Sequence, residues 1–321
     1  MKRQRIFSVT ALTLLATLTL VSCGSDATES SSSGSAETSA SASVSETSSS
    51  SATSAEKADL FGGGEKIFPE RRFVALYGSP DNAALGVLGE YEPAEAVTQA
   101  NKLAKQYQPF SQEPVQPAFE IITTIASAQP GEDGDYSDEL PAEKLIPLIE
   151  EAEKNDVYVI LDLQPGRDSF PHQVKEYKEL LKRPNVGLGI DSEWRLAPGQ
   201  VHLQQIGTVD AAEINETLDL VAGIVKEEEL PQKLVVLHQF THTMISNREL
   251  IDTTHKELAL TMHADGHGTP ELKKDTYAAL LEGLPKEIYP SWKNFYDEDT
   301  PTLTPEQTYA LTPKPWVVTY Q

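Results

Sequence analysis

From about residue 59 to residue 321 the chain alternates short runs of β-branched and aromatic residues with stretches of helical periodicity, and this alternation limits its fold more than any other feature. Strands are expected over 73–78, 119–126, 157–163, 186–193, 234–240, 258–263 and 316–320, with a weaker one near 288–292. Helical patterns fall between them, over 94–107, 142–155, 172–182, 211–229 and 271–282, with shorter ones near 247–254 and 305–311. Strands separated by helices pair in parallel through helical crossovers. Eight strands with a helix in each gap predict an α/β fold of the (β/α)8 TIM-barrel type. An open doubly wound sheet is the alternative. It lacks support from a phosphate-binding glycine loop, since Gly62, Gly63 and Gly64 precede the first strand instead of following it.

Side chains alternate between the two faces of a strand. Over 186–193, Val186, Leu188 and Ile190 share one face, and Gly187, Gly189, Asp191 and Glu193 share the other. The apolar face should pack on helices, which leaves the second face inside the barrel with its acids at the C-terminal rim. Over 258–265, Ala259, Thr261, His263 and Asp265 form a similar inward series. Tyr158, Ile160, Asp162 and Gln164 do so on the third strand, and Phe73, Ala75 and Tyr77 on the first. Polar groups therefore gather at the C-terminal ends of several strands, where barrel enzymes carry their chemistry.

Asp191 and Glu193 form the sharpest constellation. Acids at i and i+2 of a strand point the same way with α-carbons about 6.5–7 Å apart. Repulsion between them raises the pKa of one, which gives an acid beside a base. Glycosidic bond cleavage uses such a pair, one carboxyl to protonate the leaving oxygen and one to support the positive sugar carbon. Trp194 offers a ring face to a sugar, and Arg195 a charge that lowers a neighbouring carboxylate. Asp162 is the best third carboxylate, and the three are the expected catalytic residues. The structural alternative for each acid is an ion pair at a strand end.

The segment Gly189-Ile190-Asp191-Ser192-Glu193-Trp194 resembles the fourth-strand signature of chitinase-type glycoside hydrolases. The resemblance covers fewer than ten residues. Its last two acidic positions match at Asp191 and Glu193, while the two earlier ones fall on Val186 and Gly189. It implies a barrel and a hydrolase, with Glu193 as proton donor and Asp191 as its partner. It does not carry over chitin as the substrate, because the acids that support substrate assistance are missing. The rest of the domain is similar to lipoproteins of high-GC Gram-positive bacteria that have no assigned reaction.

Expected substrate-binding residues are Tyr77, Gln164, Trp194, Arg195, His238, Gln239, His263, Asp265 and Trp292. An alternative reading takes His238, His263, Asp265 and His267 as ligands of a metal-dependent hydrolase, on the loose His-x-Asp-x-His pattern over 263–267. The carboxylate reading calls for no cofactor and no metal. A third possibility is a barrel that only binds a glycan or a protein. The stretch 196–208 is long for a connection and stands on the catalytic side, where it is a candidate lid.

The N-terminus reads as an export signal: Lys2, Arg3 and Arg5 precede an apolar run over 6–21. Leu20-Val21-Ser22-Cys23 resembles the lipobox of bacterial lipoproteins, which implies cleavage before Cys23 and acylation of its thiol. Cys23 is the sole cysteine of the 321 residues, so disulfides are excluded. Residues 24–58 are mostly Ser, Ala, Thr and Glu, with Val44 the one branched aliphatic, and cannot bury enough surface to offset chain entropy. A coil of that length spans about 30 Å. The expected organisation is a signal peptide over 1–22, a lipidated and disordered tether over 23–58, and a barrel domain over 59–321. Localisation is then the extracytoplasmic face of the cell membrane, with the bilayer and an envelope polysaccharide as partners. With 26 basic against 49 acidic residues, the net charge of −23 argues against nucleic acid.

Overall fold

The β-rich runs form eight parallel strands, seen in a computed structural model that describes residues 59–321. They are β1 (Arg72–Gly78), β2 (Val115–Ala126), β3 (Tyr158–Leu163) and β4 (Val186–Asp191), then β5 (Lys233–Gln239), β6 (Leu258–Ala264), β7 (Tyr289–Asn294) and β8 (Val317–Tyr320). Each pairs with its sequence neighbours. β8 also pairs with β1, Phe73 opposite Val317, and this closes the sheet into a TIM-type barrel and removes the open-sheet alternative. A short strand, Ser137–Glu139, adds antiparallel to the end of β2.

Helices α1 (Pro93–Tyr107), α2 (Ala142–Lys154), α3 (Phe170–Glu176), α4 (Lys178–Leu181), α5 (Ala211–Glu227), α6 (Pro270–Leu281) and α7 (Pro305–Tyr309) lie in the connections. Their starts follow ordinary capping chemistry. Asp210 accepts from the Ala212 amide at 2.9 Å, and Thr304 and Gln307 form a reciprocal capping box with Pro305 in the first turn. The fifth connection is the exception to a helix in each gap. It contains one-turn 3-10 segments, such as Arg248–Leu250, and the two-residue strand Ile245–Ser246, where a short helix is expected.

Two apolar cores result from the alternation along the strands. Val186, Leu188 and Ile190 face outward and pack with Ile214, Leu218 and Val221 of α5 in the layer between barrel and helices. The barrel interior holds Phe73, Ala75, Tyr158, Ile160, Leu234, Val236 and Val317, drawn mostly from the first halves of the strands. Leu60, Ile67 and Phe68 join this inner cluster and close the N-terminal end of the barrel. That segment is tied in place by Arg71, whose Nη2 donates to the Gly63 carbonyl at 2.6 Å, and by Gln232, whose Oε1 accepts from the Ile67 amide at 2.9 Å. The apolar filling ends halfway up, and polar side chains occupy the C-terminal half. Among the described residues no helix is long and apolar enough to cross a membrane.

Candidate active site

The polar half of the barrel is built by strand parity. Tyr77, Glu120, Asp162, Asp191, His238, His263, Ser291, Lys293 and Thr319 each come from an inward position near the end of a strand, and all are buried. Register sets Asp191 beside His238, His238 beside His263, and His263 beside Ser291. Gly187 and Gly189 are small because their neighbours use the space. A β-carbon on Gly187 would lie 2.9 Å from the Tyr158 hydroxyl, and one on Gly189 would lie 2.7 Å from Asp162 Oδ1.

His238 is the hub. Its Nδ1 lies 2.7 Å from Asp265 Oδ2, and its Nε2 lies 2.9 Å from Glu120 Oε1 and 3.6 Å from Asp162 Oδ1. With a carboxyl group on each side, both nitrogens act as donors. Burial opposes the charge, but Asp162 and Glu120 overcome it and raise the pKa well above that of an ordinary histidine. Asp265 is also paired with Lys293, Nζ to Oδ1 at 3.1 Å. Burial works against this carboxylate too, yet Lys293 and the bond from His238 hold it below the usual range. The Lys293 ammonium in turn sits 3.5 Å from the centre of the Tyr77 ring, and the Tyr77 hydroxyl donates to Asp162 Oδ2 at 2.8 Å. Burial pushes Asp162 up to about 6, with Glu120 adding to the shift and His238 opposing it.

His263 plays a different part. Ser291 donates its hydroxyl proton to the Met262 carbonyl at 2.9 Å, so it accepts from His263 Nδ1, also at 2.9 Å. Nε2 is then free to accept from the Thr319 hydroxyl at 2.8 Å. This is a neutral imidazole, and burial followed by the positive charge of His238 drives its pKa well down.

Above this network opens a cavity of about 430 Å³, lined by Tyr77, Gln164, Asp191, Glu193, Asp265 and Lys293 together with the rings of Trp194, Phe240, His267 and Phe295. Its walls are apolar and its deep end is charged, the usual composition of a small-molecule site. Glu193 is half-buried in the wall. Burial, with the charge of Asp265 next, pushes its carboxyl up to about 7. Asp191 lies deeper and is raised well above the carboxylate range by burial, with Asp162 and Asp265 adding to the shift and His238 opposing it.

Several sequence expectations change here. The fourth strand stops at Asp191, and Glu193 stands in a 3-10 turn, Ser192–Trp194, with Asp191 Oδ1 accepting from the Glu193 amide at 3.2 Å. Both acids line one cavity, although not through strand alternation. Arg195 turns away and pairs with Glu213 of α5 at 2.9 Å. Gln239 is on the outward face, where it accepts from Arg248 at 2.9 Å. Trp292 also points outward and is fully buried, its Nε1 donating to Asn294 Oδ1 at 2.8 Å and its ring edge against Tyr277. Asp162, His238 and His263 lie beneath the cavity and do not line it. Of the four histidine-rich metal candidates, His238 and Asp265 meet. His263 is committed to Ser291 and Thr319, and His267 sits at the rim against Phe295. The 196–208 segment is pinned at both ends, Leu196 N to Gly166 O at 2.6 Å and Gly207 N to Glu193 O at 2.7 Å, and does not line the cavity, which is against its reading as a lid. Cys23 and the tether lie outside the described residues.

Of the inward polar residues, the sequence reading does not name the charged Glu120 and Lys293 or the hydroxyls of Ser291 and Thr319. Glu120 was visible as a lone acid in the apolar run Phe119-Glu120-Ile121-Ile122. Lys293 lies one residue past the end of the weakest predicted strand.

No family model and no curated protein matches the chain. Among solved structures it is similar to a dihydropteroate synthase of Burkholderia cenocepacia complexed with 7,8-dihydropteroate, at 12% identity and a TM-score of 0.31, over 79% of this chain and 86% of that one. It is also similar to CcCel6C, a glycoside hydrolase family 6 enzyme from Coprinopsis cinerea, at 15% identity and a TM-score of 0.28, over 68% of this chain and 60% of that one.

Proposed function

We propose that the protein is a lipid-anchored hydrolase of glycosidic bonds in cell-envelope polysaccharide, with Glu193 as proton donor and Asp265 as the ionised carboxylate that works with it. The observation that carries this reading is the divergence of two carboxyl groups lining one cavity. Glu193 keeps its proton to about pH 7, whereas Asp265 is held ionised by Lys293 and His238. Groups in one site whose environments push their pKa values apart are the usual acid and base of such a reaction.

In this scheme Glu193 gives its proton to the leaving oxygen as the C–O bond breaks. The charge on Asp265 supports the positive sugar carbon, and water adds there to complete hydrolysis and leave a new reducing end. Asp191 supports Glu193 by accepting its amide, and Trp194 supplies an apolar ring face to the sugar. The anchor rests on Cys23 and the signal before it, and places the substrate in the envelope.

The test is digestion of envelope polysaccharide fractions by the purified protein, with new reducing ends measured. Glu193→Gln and Asp265→Asn should each lower release about 100-fold or more. No release from any fraction by the unaltered protein, or unchanged release by both variants, would remove the assignment.

A further inference from the structure

At and beneath the cavity floor, four carboxyl groups (Glu120, Asp162, Asp191 and Asp265) surround two cationic side chains, His238 and Lys293, an excess of two acids; Asp191, Asp265 and Lys293 line the cavity, and Glu120, Asp162 and His238 are fully buried under it. Of the three carboxylate oxygens there that accept no hydrogen bond, Asp265 Oδ1 has the Lys293 ammonium beside it, which leaves Glu120 Oε2 and Asp162 Oδ1. Both residues are fully buried, and an unpaired carboxylate oxygen in such a place is costly. Both carboxyl groups are directed at one nitrogen, His238 Nε2, with Glu120 Oε1 at 2.9 Å and Asp162 Oδ1 at 3.6 Å. One donor atom from each of the three residues lies within 4.8 Å of the others.

We propose that Glu120, Asp162 and His238 bind one divalent transition-metal ion beneath the cavity, with Asp265 and Tyr77 orienting two of the ligands. The spacing fits. Ligand bonds of about 2.1 Å give ligand-to-ligand edges of about 3.0 Å in an octahedron and about 3.4 Å in a tetrahedron, close to the two distances at Nε2. The surroundings fit as well. A metal-bound histidine commonly donates its other N–H to a carboxylate, and His238 Nδ1 faces Asp265 Oδ2 at 2.7 Å. Tyr77 fixes the second oxygen of Asp162, which leaves Oδ1 for the ion. On binding, the ion replaces the Nε2 proton and gives each of the two carboxyl groups a ligand bond. One imidazole with two carboxylates suits manganese, iron or zinc better than calcium, which takes six to eight oxygens.

This inference is independent of the proposed reaction, because its readout is binding. The trio Asp133, Asp135 and Glu139, in which Asp133 is exposed and the other two are half-buried, is the competing site on the surface and serves as the control. Purified full-length protein is stripped with chelator and titrated by calorimetry with Mn²⁺ or Zn²⁺ alone. One equivalent of at least one of them should bind, with Ca²⁺ and Mg²⁺ at least 100-fold weaker. Glu120→Gln should weaken binding at least tenfold and Asp265→Asn about tenfold, while Asp133→Asn with Glu139→Gln should leave it unchanged. Circular dichroism checks that each variant is folded. Zinc anomalous scattering from crystals of the unaltered protein locates the ion if a variant does not fold. Uptake below one-tenth of an equivalent of both metals, equal affinity in a folded Glu120→Gln variant, or a peak confined to the surface trio would overturn the proposal.

Discussion

Asp162 and Gly189 stand opposite each other in the β3–β4 ladder, so close that a β-carbon on Gly189 would approach Asp162 Oδ1 to 2.7 Å and its α-carbon to 3.0 Å. The buried carboxyl thus occupies the room that the missing side chain leaves. Gly189 thus serves the polar network and not a turn, while Gly187 makes the same room for Tyr158 in the apolar layer below.

Gly189→Ala should therefore destabilise the protein by about 1–3 kcal/mol, the range of an overpacked core. Gly223, within α5, makes a matched control, since a β-carbon there would meet nothing within 4 Å. Gly223→Ala should stabilise by about 0.5–1 kcal/mol through helix propensity alone. Urea unfolding of both variants checks the opposite signs, and a neutral Gly189→Ala would contradict the packing argument.

The rate should depend on pH through Glu193. The proton donor is active while it holds its proton, so turnover should fall as pH rises through about 7. Asp265 must be ionised, and its depressed pKa puts no matching fall on the acid side above the ordinary carboxylate range. A pH–rate profile that instead rises through 7 would reverse the assigned role of Glu193.

The same residue sets a stability trend. Glu193 titrates near 7 when folded against 4.5 as a free side chain. Between these values the folded state holds the extra proton, so stability falls as pH rises through the window and the loss is complete above it. Glu193→Gln does not titrate. It should match the unaltered protein near pH 4 and exceed it by roughly 1–3 kcal/mol at pH 8, a figure reduced for partial exposure. Denaturant unfolding at the two pH values measures the gap, and an equal gap at both would show that the group is not perturbed.

The eight strands and the polar C-terminal end of the barrel were readable from the sequence, because period-two alternation is strong wherever one face is buried. The errors came mostly where parity was set aside. The sequence expectation puts His238 and Gln239 in one site, yet consecutive strand residues face opposite ways, and only His238 points inward. Trp292 is expected at the cleft because it lies in a polar segment with Tyr289 and Tyr296, but Ser291 and Lys293 on either side of it hold the inward positions. Glu193 could not be placed from periodicity, because the strand ends two residues earlier in a turn that Asp191 itself caps. Glu120 had a signal, a charge inside an apolar strand, but its partner His238 is 118 residues away and no spacing rule connects them.

The anchor is the prediction furthest from the barrel. Cys23→Ala should abolish incorporation of labelled fatty acid and leave the precursor uncut or the protein released. Equal labelling of the variant would show that the lipid, if present, is carried elsewhere.

Leu60, Ile67 and Phe68 stop the barrel at the end opposite the cavity. The polypeptide therefore enters the domain through its sealed base, and that gives the molecule a direction. Anything coupled to the domain at residue 59 is therefore attached at the end away from the cavity, and leaves the mouth of the cavity clear of the attachment point.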